Sequence, residues 1–117
     1  MEDLSSWPAD LDALRAAPAQ HRLVLENARV RVLDTRIAPG ERTPVHTHEW
    51  PATHHVINWS AFVRRDPNGV VLLDTRNGGV AAAPGDVLWG EALGPHSLEN
   101  VGNEPLHIVS VEIKPSE

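Results

Sequence analysis

From Leu23 onward the hydrophobic positions fall in short runs of strand length divided by turn residues. Leu23-Val24-Leu25 and Val30 to Ile37 are β-branched or aliphatic runs of strand length, separated by Glu26-Asn27-Ala28. Thr43 to His48 follows a Pro39-Gly40 turn, Trp50-Pro51 interrupts the pattern where a bend fits, and Ala52 to Trp59 resumes it. Asp66-Pro67-Asn68-Gly69 and Arg76-Asn77-Gly78-Gly79 are turn sequences that divide a meander of Phe62-Val63-Arg64, Val70 to Thr75 and Val80 to Ala83. Pro84-Gly85-Asp86 turns into Val87-Leu88-Trp89, then His96 to Val101, and Val101 to Pro105 turns into the last strand, Leu106 to Ile113. The helical period occurs once. Leu11 and Leu14 lie at i, i+3 spacing within Pro8 to Ala17, and Pro18 ends the pattern, which predicts a helix of about two turns packed as a lid. Nine or ten short strands with regular turns predict an all-β sandwich or barrel: residues 1–22 as an N-terminal arm with the short helix, 23–113 as the barrel and 114–117 as a tail.

Composition narrows the chemistry. At 117 residues, one domain burying roughly 65% of its extended surface is possible. With 10 Lys+Arg against 16 Asp+Glu and no basic cluster, nucleic acid and anionic membranes are poor partners. Zero cysteines remove disulfides and thiolates and fit a reducing, cytoplasmic setting, and Met1 to Pro8 lacks the basic and apolar regions of a secretory signal. Zero tyrosines leave acid-base work to His, Asp or Glu.

The candidate chemistry centres on Gly40-Glu41-Arg42-Thr43-Pro44-Val45-His46-Thr47-His48. On a strand, His46 and His48 leave the backbone on one side, and two neutral imidazoles so held are half of a metal site. A second turn-strand unit, Pro84-Gly85-Asp86 through His96-Ser97-Leu98-Glu99-Asn100, aims a third His the same way, so that the two halves form a weak internal repeat.

These residues resemble the two motifs of the cupin superfamily, small RmlC-like double-stranded β-helix (jelly-roll) barrels. The first motif, G-x5-H-x-H-x3,4-E-x6-G, is matched at Gly40, His46 and His48, with Thr53 at the expected Glu and Ser60 at the closing Gly. The second, G-x5-P-x-G-x2-H-x3-N, is matched at Gly85, His96 and Asn100, with Glu91 and Leu93 at its internal Pro and Gly. The resemblance covers roughly Leu23 to Ile113. It implies a jelly-roll cupin barrel in which His46, His48 and His96 bind one divalent metal, Zn, Fe(II), Ni or Mn by ligand type, without the family's carboxylate. A barrel that kept its polar floor and lost the metal is the competing account.

Further candidates follow from the strand register. His55 shares parity with Thr53, which the resemblance turns into the barrel, so it is either a fourth nitrogen ligand, a proton-transfer group beside the metal or a hydrogen-bonded core histidine; the 7 Å or so between alternate strand positions favours the proton-transfer role over ligation. His54 should face outward. Glu91, in the loop before His96, is a candidate general base, and Glu49 has a similar standing. Trp50, Trp59 and Trp89 are candidate walls of a substrate pocket or plain core. Asn100 reads as structural. Arg64 and Arg65 read as a solvated edge-strand pair rather than an anion site, and His21 and His107, with no motif around them, as structural. Two functions stand: metal-assisted enzymatic chemistry of dioxygenase or isomerase type on a small molecule, or a non-catalytic ligand-binding or accessory barrel. Exposed edge strands predict a homodimer.

Overall fold

The computed structural model describes residues 7–78 and 81–116. Nine strands form two antiparallel sheets: β1 (His21–Glu26), β2 (Val30–Ile37), β3 (His46–His48), β4 (Ala52–Asn58), β5 (Phe62–Arg65), β6 (Val71–Asp74), β7 (Val87–Gly90), β8 (Leu93–Asn100) and β9 (Leu106–Ile113). One sheet has the order β1-β2-β9-β4-β7 and the other β3-β8-β5-β6. The strands Leu106–Ile113 and Val30–Ile37 pair along their whole lengths, from Val30 opposite Ile113 to Ile37 opposite Leu106, and form the spine of the larger sheet. Between the sheets, Ile37, Phe62 and Leu106 pack together with Trp59, Leu73, Leu98 and Ile108 against them.

Pro39-Gly40 and Pro84-Gly85 are both tight turns with glycine in the left-handed region, at φ +80° and +95°, where a side chain is strained. They launch the two motif strands, which meet: β3 pairs with β8, and His46 lies opposite His96. Asn100, wholly buried, locks the end of β8. Its amide donates to the carbonyls of Ile37 and Glu104 (both 2.8 Å), and its oxygen accepts from Ser60 Oγ (2.7 Å) and the Gly102 amide. The structural role read from its position after the strand agrees with these bonds.

Three elements differ from expectation. The N-terminal helix is a 3-10 turn (Ala9–Leu11) followed by one turn of α-helix, α1 (Ala13–Ala16), because Asp12 between them is extended, caps the second with its side chain on the Leu14 amide and bridges to Thr47. The helix packs on β1 and β3, edge strands of different sheets, with Ala13 and Ala17 fully buried. The strand expected from Thr43 begins only at His46, since Pro44 cannot donate to the ladder. Of the strand expected over Val80 to Ala83, Val80 lies outside the described residues and Ala81 to Ala83 are irregular. No described helix is long and apolar enough to cross a membrane.

Candidate metal centre and cavity

Four imidazoles meet where β1, β3 and β8 converge. His46 and His48 project from one side of β3, 5.0 Å apart between ring centroids, and His96 from β8 lies 4.4 Å from His46 and 5.7 Å from His48. The fourth is His21 at the start of β1, 4.8 Å from His46 and 5.3 Å from His48. Ligand atoms of His21, His46 and His48 all fall within 4.8 Å of one another. His21 was read from sequence as structural because no motif surrounds it. Its place in the cluster follows from pairing: it lies opposite Thr35, and Thr35 and Ile37 face the interior from β2.

Each ring is oriented through Nδ1. His21 donates to the Ala17 carbonyl (3.0 Å), His46 to Pro44 (2.9 Å) and His96 to Gly94 (2.7 Å), while His48 donates to the Glu112 carboxylate (3.0 Å). A carbonyl can only accept, so the proton sits on Nδ1 and Nε2 keeps its lone pair. Among the described residues, none of the four Nε2 atoms has a hydrogen-bond partner. Burial, reinforced by the neighbouring rings, holds His21 and His46 down at about 4, His96 at about 3 and His48 well below its ordinary value. The four rings are therefore neutral near pH 7, the form in which imidazole binds a metal. A carboxylate–histidine pair such as Glu112–His48 is a recurring outer support of metal sites.

Glu112, 1% exposed, is part of a longer chain of charges that sequence reading missed. Arg31 Nε donates to Glu112 (2.7 Å), and its two terminal nitrogens bind both oxygens of Asp12 (2.8 and 3.0 Å). Burial opposes ionisation of Arg31 and Asp12, but their mutual bonds overcome it, raising the Arg31 value and lowering that of Asp12; for Glu112 burial dominates and raises it. Strand parity was the available clue, since Arg31 and Glu112 lie opposite each other on inward positions of β2 and β9.

The register of β4 corrects the sequence reading of its histidines. Ala52, His54 and Val56 lie opposite Glu112, Ser110 and Ile108 and face inward, so Thr53 and His55 face outward. The parity error came from assigning the missing motif carboxylate to Thr53, the longer of the two spacings the motif permits. Thr53 Oγ1 and His55 Nε2 bond to each other (3.1 Å) away from the four rings, so His55 is in no position to serve as a ligand or proton-transfer group there. His54 lines the interior instead, bonded to Ser110 Oγ (2.7 Å), and burial lowers its pKa. Gly90 on β7 makes room for it: a Cβ there would lie 2.5 Å from His54 Nε2.

A cavity of about 320 Å³ opens beside the four rings. Trp59, Phe62, Leu73, Leu98 and Ile108 form apolar wall; Trp89 and Glu91 stand at its exposed rim, with Trp89 Nε1 donating to Glu91 (2.6 Å). Trp50 instead packs beneath Arg31 and Lys114. Arg64 and Arg65 separate by strand parity: Arg65 bonds Glu99 outside (2.7 Å), while Arg64 lies opposite Leu98 and Leu73 and lines the cavity. His107 bonds Asp34 (2.9 Å), away from the cavity, as a structural residue.

No family model matches the sequence, and no curated protein does. Solved structures match it closely in shape. A cupin domain from Bordetella pertussis superposes with a TM-score of 0.64 over 81% of this chain and 92% of its own, at 21% identity. The chain has the cupin fold. A double-stranded β-helix protein from Klebsiella pneumoniae matches over 81% of the chain and 75% of its own, at 26% identity and a TM-score of 0.54. An RmlC-like cupin from Methanocaldococcus jannaschii matches over 80% and 77%, at 11% identity and 0.56.

Proposed function

We propose that this protein binds one divalent metal through His46, His48 and His96, with His21 as the added nitrogen donor, and acts on a small organic molecule held in the adjoining cavity. The observation that carries the reading is the closeness of His21, His46 and His48, whose ligand atoms lie within 4.8 Å of one another, with the His96 ring 4.4 Å from that of His46 and each of the four rings hydrogen-bonded through Nδ1. That donor set suits Zn, Ni or Fe(II) by ligand type. A bound metal supplies Lewis acidity toward a carbonyl or enolate oxygen. The chain's own residues do the rest. Glu112 holds His48 in register, the apolar wall excludes water from the substrate, and His54, neutral and tied to Ser110, supplies the second titratable group that turnover needs. His54 favours the enzymatic reading over a non-catalytic binding barrel, and it takes the part that sequence analysis gave to His55. The cysteine-free chain fits work in the cytoplasm.

Elemental analysis of freshly purified protein should find about one equivalent of metal, and a His46→Ala/His96→Ala double variant should have lost it. Metal retained at wild-type occupancy in the double variant would sink the assignment. An oxygen-consumption screen of the loaded protein then separates oxygenase from isomerase-type chemistry.

A further inference from the structure

Among the described residues, Arg64 is the one cation facing the cavity from the β3-β8-β5-β6 sheet, and its charge has no ion-pair partner. Its Nε is buried without a hydrogen-bond partner, and no carboxylate of the described residues lies within ion-pair distance of its guanidinium. The other arginines drawn inward or against the sheets behave differently: Arg31 holds Asp12 and Glu112, Arg65 holds Glu99, and Arg22 and Arg36 hold Asp34. Burial disfavours the charge of Arg64 and lowers its pKa, yet a guanidinium stays protonated under any ordinary condition. Arg64 is half-buried, and a guanidinium whose Nε is sealed from water without a partner is destabilised until an acceptor answers it. The Arg64 guanidinium stands over the Phe62 ring, 5.8 Å from the centroid, with Leu73 and Leu98 on the flanking strands, and the one carboxylate of the described residues that lines the same cavity, Glu91, accepts from Trp89 and forms no ion pair with it. A divalent metal on the four rings would make the cavity more positive still.

We propose that Arg64 is the anion anchor of this cavity, holding the carboxylate of a small substrate whose aromatic or branched apolar body lies against Trp59, Phe62, Leu73 and Leu98. The proposal rests on the reading of the cavity as the substrate chamber and names its substrate class: apolar monocarboxylates rather than sugars, polyols or cations. The guanidinium fork accepts a planar carboxylate in two parallel hydrogen bonds, which fixes the orientation of the bound molecule as well as its charge. At about 320 Å³ the cavity is at the small end of ligand sites, so the occupant is compact.

The test compares binding of 3-phenylpropionate and of its neutral amide by calorimetry, on metal-free and on zinc-loaded protein. Wild type should bind the acid at least tenfold more tightly than the amide in both forms. Arg64→Met should abolish that preference, and Arg64→Lys should keep part of it, because charge survives and the fork does not. Removing a half-buried cation that has no ion-pair partner should leave the melting temperature of ligand-free Arg64→Met at or above the wild-type value; Arg64→Gln provides a second neutral variant should the first fold poorly. The proposal is overturned if wild type binds neither compound, if it does not distinguish them, or if the preference survives in both neutral variants. An acid preference lost with Arg64 in a protein that takes up no metal would uphold the anchor and remove the metal reading. Normal metal uptake without an acid preference would do the reverse.

Discussion

A single histidine decides how this site differs from the motif that reveals it. The motif carboxylate is absent, with Ala52, inward and buried, at one of its two permitted positions, and the carboxylate opposite, Glu112, is spent on His48 and Arg31 rather than turned to the rings. His21 approaches from another strand and supplies a nitrogen in that neighbourhood. His21→Ala should therefore weaken metal binding by tenfold or more, and Glu112→Gln by about 10- to 100-fold, as losses of outer-shell support do. His55→Ala should leave metal affinity unchanged. Competition titration against a chromophoric chelator measures all three, and a loss with His55→Ala equal to that with His21→Ala would refute the assignment.

Strands, rather than single residues, explain the outer surface of the larger sheet. Across β1-β2-β9-β4-β7 the register lines up Leu25, Val32, Val111, Thr53 and Trp89 in one outward row, with Arg22, Asp34, Val109, His55 and Val87 in the next, apolar toward β4 and β7 and charged toward β1. Leu25, Ile57, Val87 and Trp89 are each about half exposed. We propose that a second copy of the chain covers the half-exposed apolar residues of this face. Light scattering at micromolar concentration should give a dimer mass, reduced to the monomer by Trp89→Glu; a monomeric wild type would remove this expectation.

For the whole molecule, packing four neutral imidazoles together makes stability depend on pH. In the unfolded chain each His takes a proton near 6.5, whereas in the fold His21 and His46 resist until about 4 and His96 until about 3. Between those values the unfolded state binds more protons, so stability rises with pH. The contribution is complete above about 6.5 and is lost as pH falls toward 4, each pH unit being worth about 1.4 kcal/mol for one such group. Metal-free protein should accordingly lose several kcal/mol between pH 7 and pH 4.5 by urea unfolding. A flat profile over that interval would contradict the buried, neutral cluster.

Local pattern determined the all-β class and the two glycine turns, because strand-length runs and turn chemistry are properties of a few consecutive residues, while the jelly-roll barrel and the joining of His46 and His48 with His96 came from the resemblance of two separate motifs. Strand alternation misled at β4, where a one-residue choice of register exchanged His54 for His55 and turned every side chain to the other face. His21, Arg31 and Glu112 carry no motif. Arg31 and Glu112 come from β2 and β9, which are distant in sequence and neighbours in the larger sheet, and His21, from β1 of that sheet, meets the β3 and β8 histidines of the other sheet only where the two sheets converge. Arg64 was legible as a charge but not as one facing the cavity, since its inward side is fixed by pairing opposite Leu73 and Leu98 on the flanking strands. Which polar residues converge, and which cation is left without an anion, was decided by long-range strand order, a property no local window of the chain contains.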